Sequence, residues 1–388
     1  MRDFALEVFF TRWQQATRFH LTASECETLA LQDVLALADE TDARRWQTLQ
    51  LDYTDPRGAL WLRESIAATY ETAEAAQILC FTGAQEGIHC AMHALLTPAD
   101  HAIVVVPNYQ SAETIPLGLC EISGVSLDPA RGWALDIEKL AAAVRPNTKL
   151  ISINFPNNPT GKVIDRETFD ALVALCRKHG IWLFSDEIYR LIDRDPAKRL
   201  PQAFDCYERG ISLSGLSKCY GLPGVRIGWL ACRDAAVLTR MERVKHYLSI
   251  CNAGPNEVLA NIALKASAQI LGRNRVMAEA NLDLLRGFMA DHAHILDWHE
   301  PDGGVTAYPR YRGCVETLTD RAIREAGVLL LPASVFRSDL ARAPADRFRI
   351  GFGRADTGAA LEALAAFLDR AATPAARRRT AEIRPAHF

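Results

Sequence analysis

The sequence SGLSKCYGLPGVRIGW, residues 214–229, places two cationic side chains among small residues. Three glycines follow Lys218, and Arg226 lies downstream of it in the same segment. Glycine lets a backbone bend and approach a ligand closely, and both cations bind anions. A surface loop, in which charges cost little, is the simpler alternative. The concentration of glycine around a single lysine favours an anionic ligand on which the lysine amine does chemistry.

Length and composition limit the class of protein. The 388 residues are enough for two domains, or for one large domain with an appendage. Hydrophobic residues make up 49% and the formal net charge is -3, a globular balance that does not favour nucleic-acid binding. The apolar runs are too short to cross a bilayer, and the first residues do not resemble a signal peptide. None of the ten cysteines forms a C-x-x-C pair, so we expect reduced thiols in a cytoplasmic protein without bound metal.

Apolar strands alternate with amphipathic helices over the first two thirds of the chain. The predicted strands are Ile78–Thr82, Ala102–Val106, Leu150–Ile153, Ile181–Phe184 and Gly210–Leu213. The predicted helices are Ala59–Glu71, with Leu60, Leu62, Ile66 and Tyr70 as core contacts, then Gln85–Leu96, Ile137–Val144 and Arg166–His179. This alternation predicts an α/β fold with a mostly parallel sheet covered on both faces. Such sheets bind ligands at the carboxyl ends of their strands.

A different pattern begins after one or two long helices over Pro255–Ala290. The strands predicted there are Val305–Pro309, Val328–Leu331 and Phe348–Phe352, with helices Val315–Ala326 and Thr357–Arg370. We interpret this part as a smaller α+β unit. The tail, residues 371–388, contains an arginine run and two prolines, and we expect it to be disordered.

Polar or flexible residues follow each predicted strand. Gly83, Ala84 and Gln85 open a helix after the first strand, where free backbone N–H groups favour an anion. Tyr109 follows the second strand and offers a flat face to a ring, although packing is the commoner role. Asn158 follows the third, in a turn held by two prolines.

An aspartate ends the next buried strand, with a tyrosine three residues after it. Asp186 at such a position needs a cation partner, unless it caps a helix, and Tyr189 comes close behind. The five strand ends together supply a ring to stack, an anion cradle, a carboxylate, an amide and an amine. These groups match pyridoxal 5′-phosphate, in which a lysine forms a Schiff base and an aspartate keeps the ring nitrogen protonated.

The same stretches resemble a known family. The N-P-T-G turn at residues 158–161, S-D-E-I-Y at 185–189 and S-K-x-Y-G-L-P-G-x-R-I-G-W at 217–229 together resemble the fold-type I, class I/II, aspartate-aminotransferase-like enzymes. The similarity runs from about Leu49 to about Leu368. It implies a fold-type I transferase with a large α/β domain at residues 45–285. Residues 1–44 and 286–388 would form the small domain.

The resemblance also implies a role for each motif residue. Lys218 would be the Schiff-base lysine and proton carrier, Asp186 would pair with the ring nitrogen, and Arg226 would hold the phosphate. The remaining cofactor contacts would come from Gly83, Ala84, Gln85, Tyr109, Asn158, Tyr189 and Ser217. Among these, Tyr189 and Asn158 would bond the ring hydroxyl group, and Tyr189 would act in catalysis as well.

Two further positions match the family. Tyr53 lies in a segment that resembles Y-x-x-x-x-G, whose tyrosine reaches the phosphate of the neighbouring subunit, and this implies a homodimer with shared sites. Arg349, in the sequence FRIGFG, would bind the substrate α-carboxylate together with Asn158. Arg354 is a nearby alternative that is more simply explained as a surface arginine.

The sequence departs from the family at two places. Gly215 stands where a serine or threonine usually bonds the phosphate, and Ser217 or Ser214 is the candidate replacement. The segment LTASECETL, residues 21–29, replaces a glycine-rich stretch near the substrate. Glu25 and Glu27 in it either face a basic substrate or, more simply, cap a helix over Ala30–Ala38.

Three functions are consistent with these residues. The first is an aminotransferase of amino acid metabolism or biosynthesis, which exchanges an amino group between an L-amino acid and a 2-oxo acid. The alternative is a lyase, a β/γ-replacement enzyme or a cyclase of natural-product biosynthesis that works through a quinonoid. A gene regulator that uses this fold as a sensor is least favoured, because few residues precede the large domain and they are not basic.

Overall fold

A seven-stranded sheet forms the centre of the computed structural model, which describes residues 2–372. Fourteen strands lie within the described residues, numbered β1 to β14 in chain order: Phe19–His20, Ile78–Phe81, His101–Val106, Glu121–Ser126, Thr148–Asn154, Trp182–Asp186, Gly210–Gly215, Gly228–Cys232, Leu296–Asp297, Thr306–Ala307, Arg310–Tyr311, Val328–Leu329, Leu331–Pro332 and Phe348–Gly351. The large sheet contains β2 to β8 in the order β2-β8-β7-β6-β5-β3-β4.

Helices cover this sheet and form much of the rest of the chain. Fourteen α-helices lie within the described residues, numbered α1 to α14 in chain order: Ala5–Trp13, Leu31–Leu35, Glu40–Gln47, Leu60–Ala67, Ala84–Leu95, Ser111–Leu117, Ile137–Ala142, Arg166–His179, Ala203–Cys206, Ala235–Lys245, Gly254–Lys265, Ser267–Asp291, Val315–Arg321 and Thr357–Ala372. None of the helices in the described part of the chain is long and apolar enough to cross a membrane.

The α/β prediction is confirmed, with one antiparallel strand. Strands β3 to β7 pair in parallel, whereas β8 runs antiparallel to both of its neighbours, β2 and β7. All six residues of β3 are buried, as expected for a strand covered on both faces. The parallel strands therefore bring the residues that follow β3, β5, β6 and β7 to one edge of the sheet.

Local sequence explains where the best-predicted helix begins and ends. Helix α8 has the predicted bounds, Arg166–His179. The Asp165 carboxylate accepts a hydrogen bond from the Thr168 N–H at 2.7 Å and so caps the first turn. Gly180 ends the helix with a φ of 64°, a conformation that glycine adopts at little cost.

Several predicted elements are shorter than expected, and others were not predicted. Helix α4 ends at Ala67 rather than Glu71, and Leu60 is 55% exposed, so its assignment to the core is wrong. Helix α2 covers only Leu31–Leu35, and a π-turn over Ala322–Ala326 interrupts the helix predicted there. Helix α1 and strands β4 and β8 were missed, because β4 is largely polar and β8 directly follows the glycine-rich segment.

A small antiparallel sheet forms the other part of the fold. Its order is β10-β14-β13, and β1 from the N-terminal segment pairs in parallel with β12 nearby. The division into domains at residues 45 and 285 stays a prediction. Most of the predicted disordered tail, residues 373–388, lies outside the described residues.

Candidate active site

A cavity of about 840 Å³ opens at the carboxyl edge of the large sheet. Nine of the sequence-predicted site residues line it: Ala84, Gln85, Tyr109, Asn158, Asp186, Tyr189, Ser217, Lys218 and Arg226. Gly83 and Arg349 lie directly behind this lining, in contact with Arg226 and Asn158 respectively. The structure thus brings together residues that lie far apart in the sequence.

The amine of Lys218 projects into this cavity from the loop after β7. Its Nζ donates a hydrogen bond to Ser24 Oγ at 2.8 Å and lies 3.7 Å from the Glu25 carboxylate. Glu25 lines the cavity, whereas the Ser24 contact was missed. No sequence signal pointed to it, because 194 positions separate the two residues.

Asp186 ends β6 on the floor of the cavity. Burial raises its pKa to about 6, although the Ile188 N–H, 3.1 Å from Oδ1, and the positive charge of Lys218 both lower it. The Asn154 amide donates to the Asp186 carbonyl at 3.0 Å and fixes the strand end. A carboxylate with such a pKa is short of a cation partner, and a protonated ring nitrogen would supply one.

Gly83 and Arg226 form the anion cradle. Gly83 has a φ of 85°, and a Cβ built on it would collide with Arg226 Nη2, so only glycine lets the guanidinium lie there. Arg226 itself adopts the left-handed conformation, with a φ of 50°. The Gln85 Oε1 atom is buried without a hydrogen-bond partner among the described residues. A helix N-terminus next to this guanidinium fits a phosphate group.

Only one of the two serines considered as replacements for the usual phosphate contact lines the cavity. Gly215 pairs with Gly228 across β7 and β8, and a Cβ on it would lie 3.0 Å from the Ile227 carbonyl oxygen. Ser217 lines the cavity, whereas Ser214 lies in a separate small pocket on the other side of the strand. Ser217 is therefore the better placed of the two candidates.

Arg349 is held by neutral groups inside the protein. Its Nη1 donates to Asn158 Oδ1 at 2.9 Å and its Nη2 to the Thr22 carbonyl at 2.6 Å. The side chain is 1% exposed, its Nε has no partner among the described residues, and burial lowers its pKa. Such an arginine is prepared to receive a carboxylate.

Helix α1 covers the cavity next to Tyr109. Phe4, Glu7 and Phe10 line the cavity, and the Phe4 ring lies 5.2 Å from the Tyr109 ring. Burial raises the pKa of Tyr109, so its phenol stays neutral. Apolar residues at helical spacing, Leu6, Phe9, Phe10 and Trp13, were the signal for an amphipathic helix here, but this stretch was considered only as a possible signal peptide.

Two expectations about charged residues near the cavity are wrong. Arg354 is not a plain surface residue, because it lines the cavity with a 29% exposed side chain. Glu27 lies 3.9 Å from Arg354 and accepts a hydrogen bond from the Ala355 N–H at 2.7 Å, so it caps no helix. Asp33 instead contacts the Ala30 N–H at the start of α2.

Tyr53 lies outside the cavity of its own chain. Its side chain is 81% exposed. Thr54, the next residue, donates a hydrogen bond to the Asn252 carbonyl at 2.8 Å, which ties this segment to the loop before α11. The predicted role of Tyr53 in a neighbouring subunit stays a prediction.

Comparison with known proteins agrees with this geometry. The sequence profile of aminotransferase class I and II matches residues 18–367. The chain is 30% identical to capreomycidine synthase of Streptomyces vinaceus, over 75% of this chain and 74% of that protein. It is 29% identical to an arginine–pyruvate transaminase of Pseudomonas aeruginosa, over 73% and 74%. The crystal structure of the PLP-dependent cyclase OrfR superposes with a TM-score of 0.88 at 25% identity, covering 96% and 98%.

The chain belongs to the aminotransferase class I and II family. It is an enzyme of that family with the fold-type I architecture, and its cofactor is pyridoxal 5′-phosphate. The residues present fit this group, because Gly83 leaves room for a guanidinium at a helix N-terminus and Asp186 lacks a cation on the cavity floor.

We expect Asp186→Asn to stabilise the cofactor-free chain at high pH. Folding raises the pKa of this carboxyl from 3.8 to about 6, so the folded state binds its proton more tightly. Stability therefore falls as the pH rises from about 4 to about 6. Relative to the parent chain, the variant should gain about 3 kcal/mol at pH 8 and well under about 1 kcal/mol at pH 4.

Urea unfolding of the cofactor-free chain at both pH values measures this difference. The same substitution should weaken cofactor binding at pH 8, because the ring nitrogen loses its anionic partner. A gain in stability that is equal at both pH values would contradict the assignment of the titration to Asp186.

Proposed function

We propose that the protein transfers the amino group of an L-amino acid to a 2-oxo acid. The proposal rests on one observation, which is that three functional groups lie around one cavity. These are the Lys218 amine, the Asp186 carboxylate and the Arg349 guanidinium. They are the nucleophile, the ring partner and the carboxylate anchor that this exchange requires.

The residues of the chain would divide the work as follows. When bound, the cofactor supplies a carbonyl carbon for a Schiff base and a ring that accepts electrons from the substrate α-carbon. Arg349 and Asn158 orient the substrate α-carboxylate. Lys218 Nζ would take up the proton from the substrate α-carbon and deliver it to the cofactor carbon that joins the Schiff base. Arg226 holds the phosphate, and Asp186 accepts the ring N–H.

A second candidate is a lyase, replacement enzyme or cyclase on the same scaffold. The likeness to capreomycidine synthase and to the cyclase OrfR favours it. Both reactions start with removal of the α-proton, so the same cavity residues serve either one. The fate of the amino group separates them, because only transamination moves it to the cofactor.

A single-turnover absorbance experiment with L-amino acids and no oxo acid tests the proposal. The series begins with basic amino acids, since Glu7 and Glu25 line the cavity. We expect one amino acid to convert the cofactor to pyridoxamine 5′-phosphate, and a 2-oxo acid to restore it. If the substrate is consumed while the cofactor is unchanged, transamination is wrong and the second candidate stands.

We also propose that two copies share their active sites as a homodimer. Large apolar side chains on two adjacent segments support this, because Leu51, Tyr53 and Tyr247 are each more than 80% exposed. The second segment continues through Leu248 and Ile250, both about half exposed. Sedimentation of the purified protein checks the proposal, and a monomer at micromolar concentration would overturn it.

A cytoplasmic location is part of the same proposal. The ten cysteines all lie within the described residues and are unpaired, as expected for a reducing compartment. The partners we propose are small-molecule amino acids and 2-oxo acids, without nucleic acid.

A further inference from the structure

The segment Leu21–Glu27 runs between the strand that carries Arg349 and the loop that carries Lys218. On one side the Gly351 N–H donates to the Leu21 carbonyl at 2.9 Å. On the other side the Cys26 N–H donates to the Lys218 carbonyl at 3.1 Å. The segment therefore joins the two functional elements through its backbone.

Three glycines make room for this segment. A Cβ on Gly351 would collide with the Ala23 backbone, and one on Gly353 would press on the Glu25 carbonyl. A Cβ on Gly221, in the lysine loop, would collide with the Glu27 carbonyl. Because backbone lies against backbone at all three places, the segment has little freedom to shift, and its side chains are held in fixed positions.

Two of these side chains meet the lysine amine. Ser24 is 7% exposed, and its Oγ accepts the 2.8 Å hydrogen bond from Lys218 Nζ. Glu25 lies 3.7 Å from the same atom and accepts a hydrogen bond from the Ser24 N–H at 3.1 Å. Among the described residues, these are the side chains within hydrogen-bond or ion-pair distance of Nζ.

We propose that Ser24 and Glu25 form a seat that holds the Lys218 amine whenever it is not bonded to the cofactor. They act as positioning residues. A free lysine side chain has four rotatable bonds and samples many rotamers. The seat restricts Nζ to the side of the cavity next to Arg349, where the substrate α-carbon must lie. When the amine carries a proton, the Glu25 carboxylate attracts it across the 3.7 Å ion pair.

Other ionisable groups face the same cavity and remain unchanged in the test. Asp186 also faces the amine, and the Lys218 charge offsets part of the rise in the Asp186 pKa that burial causes. The remaining ionisable groups that line the cavity are Glu7, His20, Tyr109, Tyr189, Arg226 and Arg354. Because these groups are the same in the parent chain and in every variant, a difference between their pH–rate profiles reports the loss of Ser24 or Glu25 alone.

The test follows Schiff-base formation between the full, cofactor-free chain and pyridoxal 5′-phosphate. The absorbance rate constant is measured from pH 6 to pH 10 for the parent chain and for Glu25→Gln and Ser24→Ala. Only the neutral amine reacts, so loss of the seat should move the midpoint of the pH–rate profile to lower pH. At pH 7 we expect the rate constant of Glu25→Gln to exceed that of the parent chain by about twofold to fivefold.

Glu27→Gln is the matched control, because Glu27 belongs to the same segment but contacts Arg354 and not Lys218. It should keep the parent midpoint. The proposal is overturned if both seat variants keep the parent midpoint, or if Glu27→Gln moves it as far as Glu25→Gln. Glutamine matches glutamate in shape, so Glu25→Gln keeps the test valid if Ser24→Ala fails to fold.

The experiment uses no amino acid substrate, so its result does not depend on whether the protein catalyses the proposed transamination. It rests on Lys218 as the residue that bonds the cofactor, and a Lys218→Ala chain checks that separately. If this variant still forms the Schiff-base absorbance at the parent rate, the site assignment fails and the seat fails with it.

Discussion

Replacing Lys218 with alanine is expected to abolish the Schiff-base absorbance and to lower the turnover rate by at least about 10⁴-fold. In the proposed mechanism the lysine supplies both the nucleophile and the proton carrier, and removal of a group with both roles leaves only binding and electrostatic effects. The loss should appear in kcat. Phosphate binding by Arg226 should persist, so the cofactor still binds without a covalent bond. Absorbance spectra and steady-state rates of the purified variant measure both effects.

Lys139→Ala is the matched control for this substitution. Lys139 lies on α7 with a 67% exposed side chain, and its amine forms an ion pair with Asp136 at 3.7 Å. Its removal should change neither the spectrum nor the rate. A Lys218→Ala protein that keeps a tenth of the parent activity would show that another amine does the chemistry.

The strand ends could be read from the sequence because their signals are local. Asp186, Asn158 and Lys218 each lie within five residues after an apolar run that predicts a buried strand. Parallel pairing then brings the carboxyl ends to one edge without any further information. Family resemblance added the roles of these residues, and the structure places them around one cavity.

Contacts between distant segments could not be read in the same way. The Ser24 hydroxyl meets Lys218 because Gly221 and Gly351 leave space for the backbone between them. No periodicity or motif encodes such a fit. The position of Arg354 was likewise missed, since its exposure depends on how the loop after β14 lies against Glu27.

Leu60 shows a different limit of sequence patterns. An amphipathic pattern selects one helix face but does not say where that face ends. Leu62 and Ile66 are fully buried, whereas Leu60 is 55% exposed at the first turn of α4. Two further exposed apolar residues, Leu51 and Tyr53, precede this helix in the chain. This exposure agrees with the proposed homodimer, in which a second copy covers such a surface.

The buried charge of Arg349 has no anionic partner among the described residues. The side chain is 1% exposed and bonds only the neutral oxygens of Asn158 and Thr22. Within residues 2–372, no carboxylate lies within ion-pair distance of it. Leaving a buried cation without a counter-charge is unfavourable, and this explains the lowered pKa of its guanidinium. A bound substrate carboxylate would supply the counter-charge and remove that cost. We therefore expect this position to contribute strongly to substrate binding.

Arg349→Lys is therefore expected to lower kcat/KM for both the amino acid and the 2-oxo acid by about 10²- to 10³-fold. Lysine keeps the charge but loses the fork that binds a carboxylate through two hydrogen bonds. Cofactor affinity should change little, because in the proposed mechanism Arg226 and not Arg349 holds the phosphate. Arg354→Lys, at the more exposed arginine of the same cavity, should cost less than tenfold. If the two substitutions cost the same, the α-carboxylate is held elsewhere, and Arg349 is needed only to fix Asn158.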